Sequence, residues 1–198
     1  GRTSASLQES GFEKNQLQPQ LPVQSEEHLP STWRSTSLPE TGEIFLDNAG
    51  LVLFWPFLQP FFNNAGLLQD KVFLDAFAPF KAALLLQYLA DGSTEPPEYL
   101  LVLNKVLCGI PLEESLPEDL VLTPGELDFA DALLDAVVEH ARPALGHISP
   151  EGLREAFIRR RGLLGVEDGQ WLLRVERETH DILLDRLPWS FRVVKLPW

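Results

Sequence analysis

The sequence has 198 residues, of which 44% are hydrophobic and 23% are charged, a balance typical of one globular domain. Its formal net charge of -13 disfavours DNA, RNA and anionic membranes as partners, because binding to phosphate needs clustered Lys and Arg. Its longest apolar run, residues 51–62, is well short of the ~20 residues that a membrane-spanning helix needs. We therefore expect no nucleic acid partner and no membrane span.

The first 42 residues differ in composition from the rest of the chain. Residues 1–40 contain seven Ser, five Gln and four Pro, and their few apolar residues follow no period. This composition is typical of a linker or flexible arm. We expect residues 1–42 to form such an arm and residues 43–198 to form a single domain. Because the chain contains no methionine, we also expect it to be a piece of a longer protein.

The domain is predicted to open with an aromatic segment. Residues 51–62 are mostly apolar, but Pro56 and Pro60 lack an amide donor, which favours short helical or irregular pieces. The aromatic residues of this segment are interpreted mainly as core, and a docking surface is the alternative interpretation. They are Phe54, Trp55, Phe57, Phe61 and Phe62.

Helical periodicity follows. Apolar residues at i, i+3 and i+4 spacing predict a helix over residues 70–90 that ends at Gly92, with either a kink or a break into two abutting helices at Pro79. The same spacing predicts another helix over residues 99–107. Thr123-Pro124-Gly125-Glu126 is a capping box that predicts a further helix up to Pro143 and Gly146. Ser149-Pro150 is expected to start the next one.

After Gly162 the pattern changes from helical to extended. Two apolar runs flank Glu167-Asp168-Gly169, which is a hairpin signal. A short helix is predicted from Thr179 to Leu187, and Pro188 should end it. Alternating residues 191–196 predict a last strand. The fold class is therefore predicted as α+β: about five helices followed by a small antiparallel sheet made of the hairpin and the C-terminal strand.

The C-terminal tail is the best candidate for a binding surface. It contains the tripeptide Leu-Pro-Trp twice, at residues 187–189 and 196–198. Chain ends are usually polar and frayed, so an apolar end either packs on its own domain or docks into another chain. Tryptophan is enriched at the energetic centres of interfaces. The predicted partner-binding residues are Trp189, Phe191, Leu196, Pro197 and Trp198.

Motifs for chemistry are missing from the sequence. It has no glycine-rich phosphate loop, no C-x-x-C, no H-E-x-x-H and no G-x-S-x-G. Cys108 is expected to be a buried, inert thiol. His140 with His147, His180-Asp181 with Asp185 and Arg186, and the acidic row Asp128, Asp131 and Asp135 are each interpreted as surface groups. We expect no catalytic residue, no cofactor and no metal.

Several long segments resemble one protein family. They are Asn48–Leu53 with Pro56-Phe57-Leu58, Leu86–Ala90, Leu103–Glu113 with its run Asn-Lys-Val-Leu-Cys-Gly-Ile-Pro-Leu, Gly152–Phe157, and the ending from Trp171 to Trp198. These segments resemble the tape measure protein of contractile injection systems, the antifeeding-prophage-like, phage-tail-like extracellular particles. The resemblance covers residues 43–198.

The resemblance implies a non-enzymatic assembly protein that sets the length of a tube and sheath. It implies that this chain is the C-terminal head of that protein, anchored to inner tube, baseplate, or tip or cap proteins, and oligomeric in the particle. The protein would be cytoplasmic during assembly and later lie within the tube. Two alternatives are a hydrolase whose carboxylates, such as Asp181 and Asp185, converge only in the fold, and a chaperone or adaptor for secreted cargo.

Overall fold

A computed structural model describes residues 42–198, so the predicted arm lies outside the described residues except for Gly42. The described part is an α+β structure, which confirms the predicted class. Its α-helices and strands are β1 (Ile44–Leu46), α1 (Trp55–Asn64), β2 (Leu68–Gln69), β3 (Val72–Phe73), α2 (Ala78–Asp91), α3 (Val102–Leu107), α4 (Pro124–Leu145), α5 (Pro150–Leu153), β4 (Gly162–Glu167) and β5 (Gln170–Val175). Short 3-10 helices cover Ala49–Phe54, Glu98–Leu101 and Thr179–Arg186, and Arg154–Ile158 forms a π-helical turn.

The main sheet is antiparallel with strand order β1-β4-β5. The predicted hairpin is confirmed: Leu164 faces Leu173 across β4 and β5, and Asp168 and Gly169 form the turn with φ of 51° and 75°. A two-residue turn with both central residues at positive φ matches the right-handed twist of the flanking strands.

The predicted C-terminal strand over residues 191–196 is wrong. The third strand is β1 at the N-terminal side of the domain, where Ile44 pairs with Leu164. Residues 191–196 are irregular. In a strand every second side chain faces the same side, but here the side chains that pack against the body are Phe191, Val194 and Leu196. The spacing of three residues and then two does not fit a strand.

The predicted helix over residues 70–90 begins eight residues later, at Ala78. Asp70 and Lys71 have φ of 51° and 67° and form the turn between β2 and β3, so these residues cannot continue a right-handed helix. The Asp75 carboxylate accepts hydrogen bonds from the backbone N–H groups of Phe77 and Ala78 at 2.8 Å. Pro79 therefore lies in the first turn, where proline is tolerated, and the expected kink is absent from α2.

Helix α4 starts at the predicted capping box. The Thr123 hydroxyl accepts from the Glu126 backbone N–H, and the Glu126 carboxylate accepts from the Thr123 N–H at 2.7 Å. Lys81 Nζ adds an ion pair to Glu126 at 2.7 Å, which ties α2 to the start of α4. Burial alone would raise the pKa of Glu126, but these hydrogen bonds outweigh burial and lower its pKa below the usual value. The helix ends at Leu145, before Gly146.

The core is centred on the aromatic segment, as predicted. Phe54, Phe57, Phe61 and Phe62 are fully buried, which confirms their interpretation as core. The 3-10 helix that precedes α1 approaches the π-helical turn so closely that a Cβ on Gly50 would lie 1.8 Å from the Phe157 carbonyl oxygen. Glycine is therefore the residue that this contact requires.

Two buried polar features hold α3 in place: one joins it to α2, and the other joins it to the segments directly before and after it. Asn48 Nδ2 donates to Gln87 Oε1 and to Asn104 Oδ1, both at 2.9 Å, in a cluster of buried amides. Lys105, only 3% exposed, donates from Nζ to Glu98 at 2.5 Å and to the Glu114 carbonyl at 2.7 Å. Nearby Cys108 is 2% exposed, and burial raises its pKa well above the usual value, as expected for an unreactive core thiol.

Candidate docking surface

The C-terminal tail lies across the body of the domain as an irregular strap, defined here as residues 187–198. It follows the last 3-10 helix, which ends when Leu187 takes an extended conformation before Pro188. From Pro188 onward, no backbone–backbone hydrogen bond joins the strap to the rest of residues 42–198. Side chains therefore hold it in place.

The inner Leu-Pro-Trp is firmly seated. Trp189 is only 5% exposed, and its Nε1 donates to the Leu53 carbonyl at 3.0 Å. Its ring meets Phe57 of α1 edge-on, with centroids 5.0 Å apart and an interplanar angle of 87°. Next to it, Trp55 Nε1 donates to the Ser190 carbonyl. Trp189 is therefore part of the core, because a buried indole N–H needs and here has an acceptor.

The tryptophan of the outer Leu-Pro-Trp makes the same kinds of contact as Trp189. Its partner in α1 is Phe62, about one and a half helical turns after Phe57. Trp198 Nε1 donates to the Leu107 carbonyl at 3.1 Å. The indole meets Phe62 and Phe73 edge-on, with centroid separations of 5.4 and 5.6 Å. Unlike Trp189, Trp198 remains partly exposed. We call the group formed by Phe62, Phe73 and the Leu107 carbonyl the outer pocket.

The middle of the strap has two faces. Phe191, Val194 and Leu196 pack against the core, while Arg192, Val193 and Lys195 are exposed. Val193 is 63% exposed, and Arg192 makes a long contact of 3.5 Å to Asp185, with both side chains in solvent. The strap thus presents a short ridge of cations and one aliphatic residue on a chain whose net charge is -13.

The predicted partner-binding residues are brought together on this one segment. Trp189 is buried, whereas Phe191, Leu196, Pro197 and Trp198 are partly exposed. Sequence reasoning identified the strap but not the surface that receives it. Phe73 was missed because its segment has helical spacing, and the Leu107 carbonyl leaves no mark in sequence.

The cluster at His180, Asp181, Asp185 and Arg186 does not converge on one point. Asp181 accepts two hydrogen bonds from Arg160, at 2.8 and 2.9 Å, and this guanidinium lowers the pKa of Asp181. Asp185 points instead to Arg192, and His180 Nε2 contacts the Ala156 carbonyl at 2.8 Å. The cluster is thus divided among separate structural contacts.

The remaining polar candidates lie on the surface or against the core. Asp128, Asp131 and Asp135 are exposed along α4, and the Tyr88 hydroxyl donates to Asp131. Burial and this carboxylate raise the pKa of Tyr88. His140 stacks on Phe57 at 5.7 Å. Within residues 42–198, no three His, Cys, Asp or Glu side chains are grouped as a metal site would need, and none of the helices described is long and apolar enough to cross a membrane.

Comparison with protein families gives a match to most of the chain. Residues 2–198 match the family described as contractile injection system tape measure protein. The match extends the resemblance seen in residues 43–198 to nearly the whole chain. Searches of curated proteins and of solved structures returned no match.

Proposed function

Because the chain belongs to the contractile injection system tape measure protein family, we propose that it is the anchoring head of a protein that sets tube and sheath length. The head holds the tape measure protein to an inner tube, baseplate, or tip or cap protein while the tube polymerises. The protein acts in the cytoplasm during assembly and then remains within the tube. Its role is non-enzymatic: it occupies space and binds.

The dimensions of the described helices support a head rather than a ruler. A ruler needs an extended element, and an α-helix gains only ~1.5 Å per residue. The longest described helix, α4, has 22 residues and so spans ~33 Å. The length-measuring part is therefore assigned to other regions of the full protein.

The observation that carries the docking proposal is the strap. Phe191, Leu196, Pro197 and Trp198 form a partly exposed apolar strip whose backbone has no partner in residues 42–198. Unpaired backbone beside apolar side chains suits the addition of an extended segment from another protein. Arg192 and Lys195 add positive charge at its rim, which steers association more than it adds affinity.

Co-purification with individual particle proteins tests this proposal. The purified chain is mixed separately with inner tube, baseplate, and tip or cap protein, and we expect one of them to be retained. Leu196→Asp should abolish retention, because a carboxylate in the strip would have to be desolvated at the interface.

The matched control is Val121→Asp, which introduces the same charge at a site that is 71% exposed outside the strap. Both variants are first checked for a native circular dichroism spectrum. Retention of no component, or equal retention by the Leu196→Asp variant and the intact chain, would contradict the proposal.

A further inference from the structure

The two Leu-Pro-Trp tripeptides are held unequally. Trp189 is 5% exposed and fixed between the Leu53 carbonyl and Phe57, whereas Trp198 is partly exposed at the end of the chain. Lifting residues 191–198 breaks no backbone–backbone hydrogen bond within the described residues and leaves the hydrogen bond from Trp55 to the Ser190 carbonyl in place. The outer tripeptide can therefore leave while the inner one stays seated.

The outer pocket is built for one kind of side chain. It offers two phenyl rings at edge-on distances and, beside them, a carbonyl that accepts from an indole N–H. With Trp198 in the pocket, Phe62 and Leu107 are almost fully buried. If the pocket were empty, the Phe62 ring and the Leu107 carbonyl would lose the indole that covers them. The pocket therefore favours being filled by tryptophan, and Leu-Pro-Trp is the sequence that it holds in this chain.

A second copy carries the same ligand and a complementary charge. Residues 42–153 contain 17 acidic and 4 basic side chains, whereas residues 154–198 contain 7 acidic and 9 basic ones. A strap that carries Arg192 and Lys195 is thus attracted to the acidic body of another copy. Trp198 lies nine positions after Trp189, and such a segment reaches about 30 Å when extended.

We infer that residues 196–198 exchange between two copies of this chain, each seating its terminal Leu-Pro-Trp in the other's outer pocket. The exchange is reciprocal, so two copies form a dimer with two-fold symmetry. In this dimer both tails and both outer pockets are occupied, and no further copy can add. This inference rests on the docking role proposed for the strap and adds a second copy of the chain to the particle proteins proposed as partners.

A labelled peptide tests the pocket in the intact fold. The probe is a fluorescent peptide with the sequence of residues 190–198, titrated into the full chain and into the Trp198→Ala chain. We expect the Trp198→Ala chain to bind at least ~10-fold more tightly, because its own tail no longer competes for the pocket. The Val193→Ala chain, altered at an exposed strap residue, should bind as weakly as the intact chain.

Recognition of the terminal tryptophan is tested by a second peptide in which alanine replaces it. This peptide should bind neither chain. Equal affinity of the Trp198→Ala chain and the intact chain for the first peptide would overturn the inference, as would equal binding of the two peptides.

Light scattering tests the exchange itself. The intact chain should pass from monomer to dimer with rising concentration, and Trp198→Ala and Phe73→Ala chains should each remain monomeric. Mixing these two variants should restore a heterodimer, since one supplies an intact tail and the other an intact pocket. A mixture that stays monomeric would overturn the exchange. Retention of a particle component by the intact chain would still leave the proposed function standing, which separates the two failures.

Discussion

At the residue scale, one arginine joins three of the last four elements of the chain. Arg160 is 6% exposed and donates to Asp181, to the Glu176 carbonyl at 2.7 Å and to the Ala156 carbonyl at 3.2 Å. The middle of the π-helical turn, the residue after β5 and the last 3-10 helix therefore meet at a single guanidinium. The strap starts directly after that helix, so its starting point depends on this contact.

Removing the charge of Asp181 tests how much this contact contributes. Asp181→Asn leaves a nearly buried guanidinium without its anion, and we expect a loss of ~3 kcal/mol in the free energy of unfolding. This is the low end for a buried pair, because the Asp181 side chain is 27% exposed. Urea denaturation measures the loss. Asp185→Asn, at a 67% exposed side chain, should change stability by less than ~0.5 kcal/mol; equal effects would refute the assignment.

The lowered pKa of Asp181 predicts a dependence of stability on pH. A carboxyl group whose pKa is lower in the folded state stabilises the fold above its unfolded pKa of ~3.9. That contribution is lost as the pH falls from this value through the lower native pKa. Unfolding measured between pH 5 and pH 2 should therefore show a steeper loss for the intact chain than for Asp181→Asn. Parallel curves would mean that Asp181 titrates alike in both states.

Gly50 makes the sharpest steric prediction. Because a Cβ at this position would lie 1.8 Å from the Phe157 carbonyl oxygen, Gly50→Ala must separate the first 3-10 helix from the π-helical turn. We expect destabilisation above ~4 kcal/mol or failure to fold, seen by thermal denaturation. Gly125→Ala is the matched control, since nothing lies within 4 Å of its Cβ, and it should alter stability by less than ~1 kcal/mol. A stable Gly50→Ala chain would disprove this close approach.

At the element scale, the start of α4 combines three contacts on two residues. Thr123 and Glu126 cap each other, and Lys81 adds its ion pair from α2. Thr123→Ala should cost ~1 kcal/mol through loss of the cap, which corresponds to a melting temperature lower by ~2–4 °C. Thr94→Ala, at an exposed loop residue, should leave the melting temperature unchanged. The same drop for both would show that the cap contributes nothing.

Elements with a local cause were predictable from sequence. The capping box at Thr123 marks the start of α4, and Asp168-Gly169 marks the hairpin, because each signal acts within a few residues. The prediction of a helix over residues 70–77 was wrong although the apolar residues there have helical spacing. Asp70 and Lys71 adopt positive φ and turn the chain into a short hairpin. Periodicity does not show such a reversal when the turn lacks glycine and proline.

The docking surface was only half predictable, for a related reason. An apolar tail with a repeated Leu-Pro-Trp shows that something must cover it, so the strap was found. Its partner surface is assembled from Phe62, Phe73 and the Leu107 carbonyl, which lie in three separate elements. The Leu107 carbonyl could not be predicted because a backbone acceptor has no sequence signature. The third strand of the sheet could not be predicted either, because β1 is only three residues long and shows no clear alternation.

At the scale of the whole molecule, the chain combines an acidic body with a basic C-terminal part. The body, residues 42–153, has 13 more acidic than basic side chains, whereas the C-terminal part, residues 154–198, has an excess of two cations. Such asymmetry favours oriented contacts between copies or with other acidic surfaces, and salt should weaken them. The family match gives these contacts their setting in a contractile particle.

The length of assembled particles tests the central claim most directly. Particles are produced with the full tape measure protein carrying Leu196→Asp or Val121→Asp in this domain, and sheath lengths are measured by electron microscopy. If the domain anchors the tape measure protein through its strap, Leu196→Asp should give few particles or a broad spread of lengths, while Val121→Asp keeps one sharp length. A single sharp, unchanged length with Leu196→Asp, in a domain that is folded, would contradict the account.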